Sequence, residues 1–318
     1  MGTSKAVQHH FTVDVEEYFQ VSAFERIVPR ADWGRHESRV GMSVARLLDL
    51  MARYEARGTF FVLGWVAERH PDVVRRIAAA GHEIASHGWD HVRVTELTPP
   101  TFRESVRRTK DALEALTGTG VLGYRAPSFS IVPKWEWALD VLVEEGYRYD
   151  SSLFPIRRPG YGYASALPDP HWLERESGRL LELPPATLMR FGVRLPAAGG
   201  AYFRLFPYAL VRSAFRECAR RGIPGTFYIH PWEVDPAQPR MDVPLLTRVR
   251  HYGGLARTAP RLERLLSEFR FTTMAESLTA YERAASGLDR GATADREAVA
   301  AAPQEDGAPQ MRLSRDIP

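Results

Sequence analysis

Short apolar runs alternate with stretches of helical periodicity along the first half of the chain. Residues 59–64 form a continuous apolar run of the kind found in a strand buried on both faces, and residues 83–86 form the next strand. Within 66–80 and 98–116, apolar residues recur every three or four positions, which predicts two helices. This repeated strand–helix order predicts an α/β protein in which helices cover a parallel sheet.

The pattern changes in the second half of the chain. Proline, glycine and aromatic residues dominate 154–207, where only 180–183 has the pattern of a strand. We therefore predict an inserted loop or hairpin region that faces a substrate. A helix over 208–221 and a strand over 226–229 follow. Periodicity is lost again at the end, and we predict that residues 284–318 form a disordered tail.

Length and composition are those of an ordinary globular protein. The chain has 318 residues, of which 44% are hydrophobic, and its net charge is only +3. We expect one folded domain over residues 9–283, after a flexible N-terminus of residues 1–8. Lysine and arginine are not concentrated in any block, so nucleic-acid binding is not expected.

Cysteine content and hydropathy bear on the compartment. The single cysteine, Cys218, excludes a disulfide within the chain. Residues 1–10 contain no apolar segment typical of a secretion signal, and no run approaches the roughly 18 apolar residues that cross a bilayer. We therefore expect a cytoplasmic protein without an integral membrane segment.

Two histidines directly follow the predicted strand 83–86. His87 and His91 are four residues apart, which in a helical turn places both imidazoles on one side, where they can face a single metal ion. A catalytic metal usually needs a carboxylate as well. Asp14 and Glu16 are the best candidates, because they alternate with valines in a predicted strand and so point to the same face.

Two further polar residues lie at or just after predicted strands. Arg125 could hold a buried carboxylate in its ionised form, although a surface arginine before a turn is the alternative. His230 ends the strand 226–229, as either a catalytic histidine or a hydrogen-bonded core residue. Together these residues fit metal-assisted hydrolysis, in which a carboxylate removes a proton from water and a histidine protonates the leaving amine.

Four motifs resemble those of the polysaccharide deacetylases of carbohydrate esterase family 4, the NodB-homology group. They are TFFVLG at 59–64, GHEIASHGWDH at 81–91, RAP at 125–127 and IH at 229–230. The resemblance extends over about residues 9–280. Residues 14–19, 150–155, 230–233 and 250–252 also resemble one branch of this family, which is associated with exosortase-type exopolysaccharide gene clusters.

The resemblance implies a distorted seven-stranded (β/α) barrel, with a family-specific C-terminal part over 231–283. It also implies that His87 and His91 bind a metal together with a carboxylate. Family members usually have two adjacent aspartates in the first motif, whereas this chain has Asp14-Val15-Glu16. The carboxylate ligand would therefore be Glu16, and Asp14 in that role is the alternative.

The resemblance implies the catalytic roles as well. Asp14 would act as the general base, and Arg125 would position and polarise it. His230 would act as the general acid, and Asp150 would tune its protonation.

The resulting hypothesis is a metal-dependent N-deacetylase. We expect zinc, although two histidines and a carboxylate also suit cobalt, nickel or iron. The expected substrate is an N-acetylhexosamine unit of an exopolysaccharide or its biosynthetic precursor, and association with glycan synthesis machinery at the inner membrane would follow. The alternatives are a hydrolase of a small non-sugar amide and a glycan-binding pseudoenzyme.

Overall fold

The structure, a computed structural model, describes residues 7–158 and 161–300, with side chains up to residue 287. Its strands are β1 Gln8–Val15, β2 Thr59–Val62, β3 Glu83–Ser86, β4 Gly123–Tyr124, β5 Tyr149–Asp150, β6 His171–Arg175, β7 Gly178–Glu182, β8 Thr187–Arg190, β9 Val193–Pro196, β10 Thr226–Ile229 and β11 Arg270–Thr272. Its helices are α1 Val40–Arg53, α2 Gly64–Arg69, α3 Pro71–Ala79, α4 Pro99–Thr117, α5 Trp137–Glu144, α6 Gly200–Leu205, α7 Tyr208–Arg220, α8 Leu245–Tyr252, α9 Thr258–Glu268 and α10 Met274–Ala300.

One mostly parallel sheet organises the fold. Its strand order is β10-β1-β2-β3-β4-β5-β7-β6, and β11 also pairs with β1. Every pair from β10 to β7 is parallel, and only β6 runs antiparallel to its neighbour. The α/β class with a mostly parallel sheet is therefore confirmed. No strand pairing closes the sheet into a complete barrel among the described residues.

Strand β1 pairs with three other strands. β2 lies on one side, and β10 and β11 share the other side. Apart from Gln8, every residue of β1 is buried, including Asp14. Parallel register aligns the carboxyl ends of neighbouring strands, so that Val15 pairs with Val62 and Val62 pairs with Ser86. Polar residues that follow these strands therefore meet at one edge.

The helices of the first half lie close to where the sequence predicted them. Helix α4 begins after Thr98, whose hydroxyl accepts a hydrogen bond from the Thr101 N–H and so caps the helix. The single helix predicted over 66–80 is wrong in detail, because His70 separates α2 from α3. The cause is Pro71, which lacks an N–H group and is accommodated at the start of α3.

The region 154–207 contains more regular structure than the sequence indicated. Strands β6 and β7 form an antiparallel hairpin that extends the main sheet, and β8 and β9 form a second hairpin. Single bridges from Pro185 to Thr226 and from Gly199 to Tyr228 connect this region to β10. The inserted region thus contains hairpins, one of the two forms expected from the sequence. It is also partly a component of the main sheet, because β7 pairs with β5 and two bridges reach β10.

The C-terminal part differs from the expected tail. A compact unit ends at Leu278, and helix α10 continues to Ala300, where the sequence analysis expected no regular structure. Six of the 17 residues in 284–300 are alanine, which favours helix formation. Residues 301–318 and 1–6 lie outside the described residues. Within the described part of the chain, no helix is long and apolar enough to cross a membrane.

Gly123 in β4 provides a test of the strand packing. A Cβ atom at this position would lie 1.8 Å from the ring of Tyr149, the buried residue that pairs with it in β5. We predict that Gly123→Ala lowers the free energy of unfolding by about 1–3 kcal/mol, measured by urea denaturation. Gly41→Ala is the matched control, because its Cβ would meet only Val73 at 3.6 Å. Equal urea midpoints of unfolding for the two variants would contradict the close packing of Gly123 against the Tyr149 ring.

Candidate active site

Three buried side chains meet at the carboxyl edge of the sheet. Glu16 follows β1, while His87 and His91 follow β3. One ligand atom from each residue lies within 4.8 Å of the other two. The structure therefore brings together the three residues that the sequence analysis proposed as metal ligands, and their role as ligands stays a prediction.

The turn that carries the two histidines is not helical, so the expected helical turn is wrong. Gly88 and His91 have positive φ angles of 76° and 57°. The backbone carbonyl of Gly88 accepts a hydrogen bond from the Gly64 N–H at 2.9 Å, and that of Trp89 accepts one from the Trp65 N–H at 2.8 Å. The turn is therefore held by the start of α2 rather than by its own helical hydrogen bonds.

The donor atoms of this cluster fit a divalent metal ion. Oε2 of Glu16 is buried without a hydrogen bond from the described residues, although it lies 2.8 Å from Nε2 of His91. Nδ1 of His87 lies 2.8 Å from the carbonyl oxygen of Arg125, which leaves Nε2 to face the cluster. Two imidazole nitrogens and one carboxylate oxygen form a common ligand set for catalytic zinc, and a carbonyl on the far ring nitrogen is the usual support.

The charge states of the cluster also suit metal binding. Burial lowers the pKa of His87 to about 4, so its imidazole is neutral at neutral pH. Burial acts to raise the pKa of Glu16, but the neighbouring His91 and His230 lower it to about 2. A neutral imidazole and an ionised carboxylate are the forms that coordinate metals.

Trp232 holds the other oxygen of Glu16. Its indole N–H donates a hydrogen bond of 3.1 Å to Oε1 of Glu16. The Trp232 ring is stacked on His251, with centroids 4.2 Å apart, and on His230, with centroids 5.1 Å apart. Trp232 is not among the site residues predicted from the sequence, although it lies only two positions after His230 in the HPWE run.

Asp14 and Arg125 form a buried ion pair beside the cluster. Nη1 of Arg125 donates to Oδ1 of Asp14 at 2.7 Å, and both side chains are almost completely buried. Oδ2 of Asp14 lies 3.9 Å from Nε2 of His230. The pair proposed from the sequence is therefore present, and it leaves one oxygen of Asp14 directed toward His230.

His230 receives its acidic partner from the following turn. Its Nδ1 lies 2.8 Å from Oε1 of Glu233, and Nε of Arg204 donates to the other oxygen of Glu233 at 2.5 Å. Burial acts to lower the pKa of His230, but Glu16 and Glu233 raise it to about 9, so the ring is protonated at neutral pH. The sequence signal for Glu233 was the capping-box spacing of three residues, with Pro231 at the first position of the turn.

Asp150 was expected to tune the protonation of His230. The two side chains make no contact with each other among the described residues, where Glu233 is the carboxylate closest to Nδ1 of His230. Asp150 accepts hydrogen bonds from the hydroxyl of Ser152 at 2.6 Å and from its N–H at 3.1 Å. It also pairs in register with Glu182 of β7. The reason is topological, because β5 is separated from β10 by four strands in the sheet order.

A cavity of about 390 Å³ is lined by Asp14, Glu16, His87, His91 and His230, which we call its floor. Trp232 lies beside this floor and also lines the cavity. Tyr161 and Tyr202, from the region predicted to face a substrate, line it as well. The cavity therefore combines polar groups on its floor with aromatic side chains from another part of the chain, as is common in ligand sites.

Fold and site define an α/β protein with a buried two-histidine, one-carboxylate cluster at the carboxyl edge of its sheet. Comparison with known families identifies its relatives. Residues 40–148 match the polysaccharide deacetylase family, and residues 151–279 match a domain of unknown function, DUF3473. Residues 40–148 are therefore a polysaccharide deacetylase domain, which confirms the resemblance to this family for that part of the chain.

Curated relatives match over a limited part of their length. A peptidoglycan-N-acetylglucosamine deacetylase from Bacillus cereus is 28% identical over 118 residues, which are 33% of this chain and 43% of the relative. A chitooligosaccharide deacetylase from Rhizobium leguminosarum bv. trifolii is 37% identical over 68 residues, 21% of this chain and 32% of the relative. The chain thus spans less than half the length of these relatives.

Solved structures share the fold over most of the chain. A candidate polysaccharide deacetylase from Mycobacterium smegmatis superimposes with a TM-score of 0.60 at 24% identity, and covers 88% of this chain and 92% of its own. PuuE allantoinase gives a TM-score of 0.57 at 21% identity, with coverages of 89% and 92%. These similarities confirm a fold like the (β/α) barrel of the family.

Trp232 generates a prediction about metal affinity. Trp232→Phe keeps an aromatic ring between His230 and His251 but removes the N–H donor to Glu16, so metal affinity should fall about 10-fold or more. Titration of zinc against a competing chelator measures this change. Trp172→Phe in β6 is the control and should leave the affinity unchanged. Equal affinities for both variants and the unmodified protein would contradict a supporting role for Trp232.

The carboxyl pair of Asp150 and Glu182 generates a prediction about pH. Burial raises the pKa of Asp150 to about 6, and burial together with the charge of Asp150 raises the pKa of Glu182 well above its usual range. Both pKa values are raised in the folded state. The contribution of the two acids to the stability of the fold is therefore greatest at pH values below their pKa values in the unfolded chain. This contribution is lost as the pH rises through their pKa values in the folded protein.

Glu182→Gln replaces one acid with an amide that can donate to Asp150. Relative to the unmodified protein, its free energy of unfolding should rise by more than about 1 kcal/mol between pH 5 and pH 8. Urea denaturation across this pH range measures the difference. Glu174→Gln, at an exposed position in β6, is the control. Parallel pH profiles for all three proteins would contradict the shared burial of the acid pair.

Proposed function

We propose that the protein is a metal-dependent hydrolase that removes N-acetyl groups from N-acetylhexosamine units of a glycan. The observation that carries this proposal is the common floor of the cavity. There the cluster of Glu16, His87 and His91 lies beside the ion-paired Asp14 and beside His230, whose ring contacts Glu233. Asp14 lies within 3.9 Å and Glu16 within 3.7 Å of Nε2 of His230. Such proximity is what hydrolysis of an amide bond requires.

The metal ion would be held by Glu16, His87 and His91, with zinc expected and cobalt, nickel or iron as further candidates. When bound, it would polarise the acetyl carbonyl and lower the pKa of a water molecule. The protein's own residues would move the protons. The ion pair with Arg125 keeps one oxygen of Asp14 occupied, so the other oxygen is available to accept the proton of the attacking water.

The leaving amine needs a proton, and His230 is placed to donate it. Nε2 of His230 points to the cavity floor, while Nδ1 is held by Glu233 at 2.8 Å. Glu233 itself remains ionised, because Arg204 and His230 lower its pKa to about 2 against the effect of burial. This arrangement orients the ring and favours its protonated form, as a general acid requires.

The substrate class follows from the relatives and from the cavity lining. Curated relatives include deacetylases that act on peptidoglycan N-acetylglucosamine and on chitooligosaccharides. Tyr161, Tyr202 and Trp232 supply aromatic faces beside the floor. We infer that the substrate is an N-acetylhexosamine-containing exopolysaccharide or its precursor. Action in the cytoplasm, next to glycan synthesis machinery of the inner membrane, is part of the same proposal.

Acetate release from N-acetylated oligosaccharides tests this proposal. We predict release by the zinc-loaded protein and none after removal of the metal by a chelator. His87→Ala should lose metal and activity, and Asp14→Asn should retain metal while its rate falls about 100- to 10,000-fold. His171→Ala, in β6, is the control. Coupled acetate assays and metal analysis provide the measurements.

Each negative outcome has a distinct meaning. Absence of acetate release from every glycan, with metal still bound, would overturn the sugar substrate and favour hydrolysis of a small amide. Absence of both release and metal binding, with glycan binding retained, would favour a pseudoenzyme. Unchanged release in both His87→Ala and Asp14→Asn would place the catalytic site elsewhere.

A further inference from the structure

Two tyrosines and two arginines form a cluster that we call the outer cluster: Arg158, Tyr161, Tyr202 and Arg250. Tyr161, Tyr202 and Arg250 line the cavity, and Arg158 lies over the Tyr202 ring. The hydroxyl groups of Tyr161 and Tyr202 are 2.7 Å apart and share one hydrogen bond. Nη2 of Arg250 donates to the Tyr161 hydroxyl at 3.4 Å. The guanidinium of Arg158 lies 5.7 Å from the ring centroid of Tyr202.

This cluster has more hydrogen-bond donors than acceptors. One hydroxyl proton joins the two tyrosines, so the other hydroxyl proton remains available. Each guanidinium carries five N–H groups and no acceptor, and the Tyr161 oxygen can satisfy only a small part of them. Neither Arg158 nor Arg250 forms an ion pair with a carboxylate among the described residues, and both are exposed. The group that would complement this cluster is an acceptor with negative charge.

The other charged side chains of the cavity are already paired. Its lining includes only two carboxylates, Asp14 and Glu16, and both belong to the floor. Arg93 pairs with Glu25 at 2.9 Å, and Arg204 pairs with Glu233. Uncompensated positive charge is therefore concentrated in the outer cluster.

The position of the cluster in the chain separates it from the catalytic part. All four residues lie within 151–279, the region that matches a domain of unknown function. His87, His91 and Arg125 lie within 40–148, the region that matches the polysaccharide deacetylases. The two regions thus contribute different surfaces to one cavity.

We propose that the outer cluster is a binding site for an anionic group, a carboxylate or a phosphate, that the glycan carries close to its acetylated sugar. This inference rests on the proposed function and narrows its substrate class to acidic glycans or phosphate-linked sugars. Arginine binds both anions through paired N–H groups, and tyrosine hydroxyls can add a further donor. In this proposal, residues 151–279 select the substrate, because all four residues of the outer cluster lie there.

Equilibrium binding to the zinc-loaded full-length protein tests the proposal. Calorimetry would compare three probes: a neutral N-acetylchitooligosaccharide, an oligosaccharide of equal length that alternates N-acetylglucosamine with glucuronic acid, and UDP-N-acetylglucosamine. We expect at least one anionic probe to bind more tightly than the neutral one. Arg158→Gln and Arg250→Gln should each weaken that binding about 10- to 100-fold, and by much less for the neutral probe.

Arg248→Gln is the matched control, because Arg248 is an exposed arginine on the same helix and lies 3.6 Å from Asp242. It should leave all three affinities unchanged. Preference for the glucuronate probe would identify a carboxylate as the natural group, and preference for the nucleotide sugar would identify a phosphate. Tighter binding of both anionic probes would support the shared chemistry.

Equal affinity for all three probes, or equal losses for neutral and anionic probes in the arginine variants, would overturn the anion site. Because binding is measured without turnover, this result is independent of acetate release. Arginine-dependent binding of an anion by a protein that releases no acetate would retain the anion site and reject the proposed function. Acetate release by a protein that shows no preference for the anionic probes would retain the proposed function and reject the anion site.

Discussion

Arg125 is a fully buried cation, and the arrangement of the cavity floor depends on how its charge is compensated. Its guanidinium donates to Asp14, to the Thr12 hydroxyl and to both the carbonyl and the hydroxyl of Ser151, and it lies 4.1 Å from the ring centroid of Phe61. A buried charge is costly unless it is paired and hydrogen-bonded. Arg125 therefore ties β1, β4 and the end of β5 into one geometry.

The second constraint is the turn that follows β10. Oε1 of Glu233 accepts a hydrogen bond from the backbone N–H of His230 and lies 2.8 Å from Nδ1 of its ring. The buried guanidinium of Arg204 donates to the other oxygen of Glu233. Arg204 also donates to three backbone carbonyls at residues 250, 251 and 253. The same side chain thus connects the proposed general acid with the end of α8, where Arg250 of the outer cluster lies.

The cavity is assembled from three separate parts of the chain. Glu16 precedes both family matches, His87 and His91 lie in the deacetylase match, and His230 lies in the domain of unknown function. The deacetylase match alone would lack the proposed general acid. The proposed metal ligands and the proposed anion site therefore lie in different parts of the chain.

Local pattern was sufficient to place β3 and β10 and to bring Asp14, Glu16, His87, His91 and His230 to one edge. The reason is that parallel strands align their carboxyl ends whatever their order in the sheet. Local pattern could not decide which acid contacts His230, because that choice depends on strand order and on a turn whose capping was overlooked. The irregular turn at 87–91, the pairing of β6 and β7 with the sheet, and the outer cluster likewise came only from tertiary structure. Each depends on contacts between residues that are distant in sequence. Hydrophobic periodicity does not predict such contacts, because it reflects only which face of each element is buried.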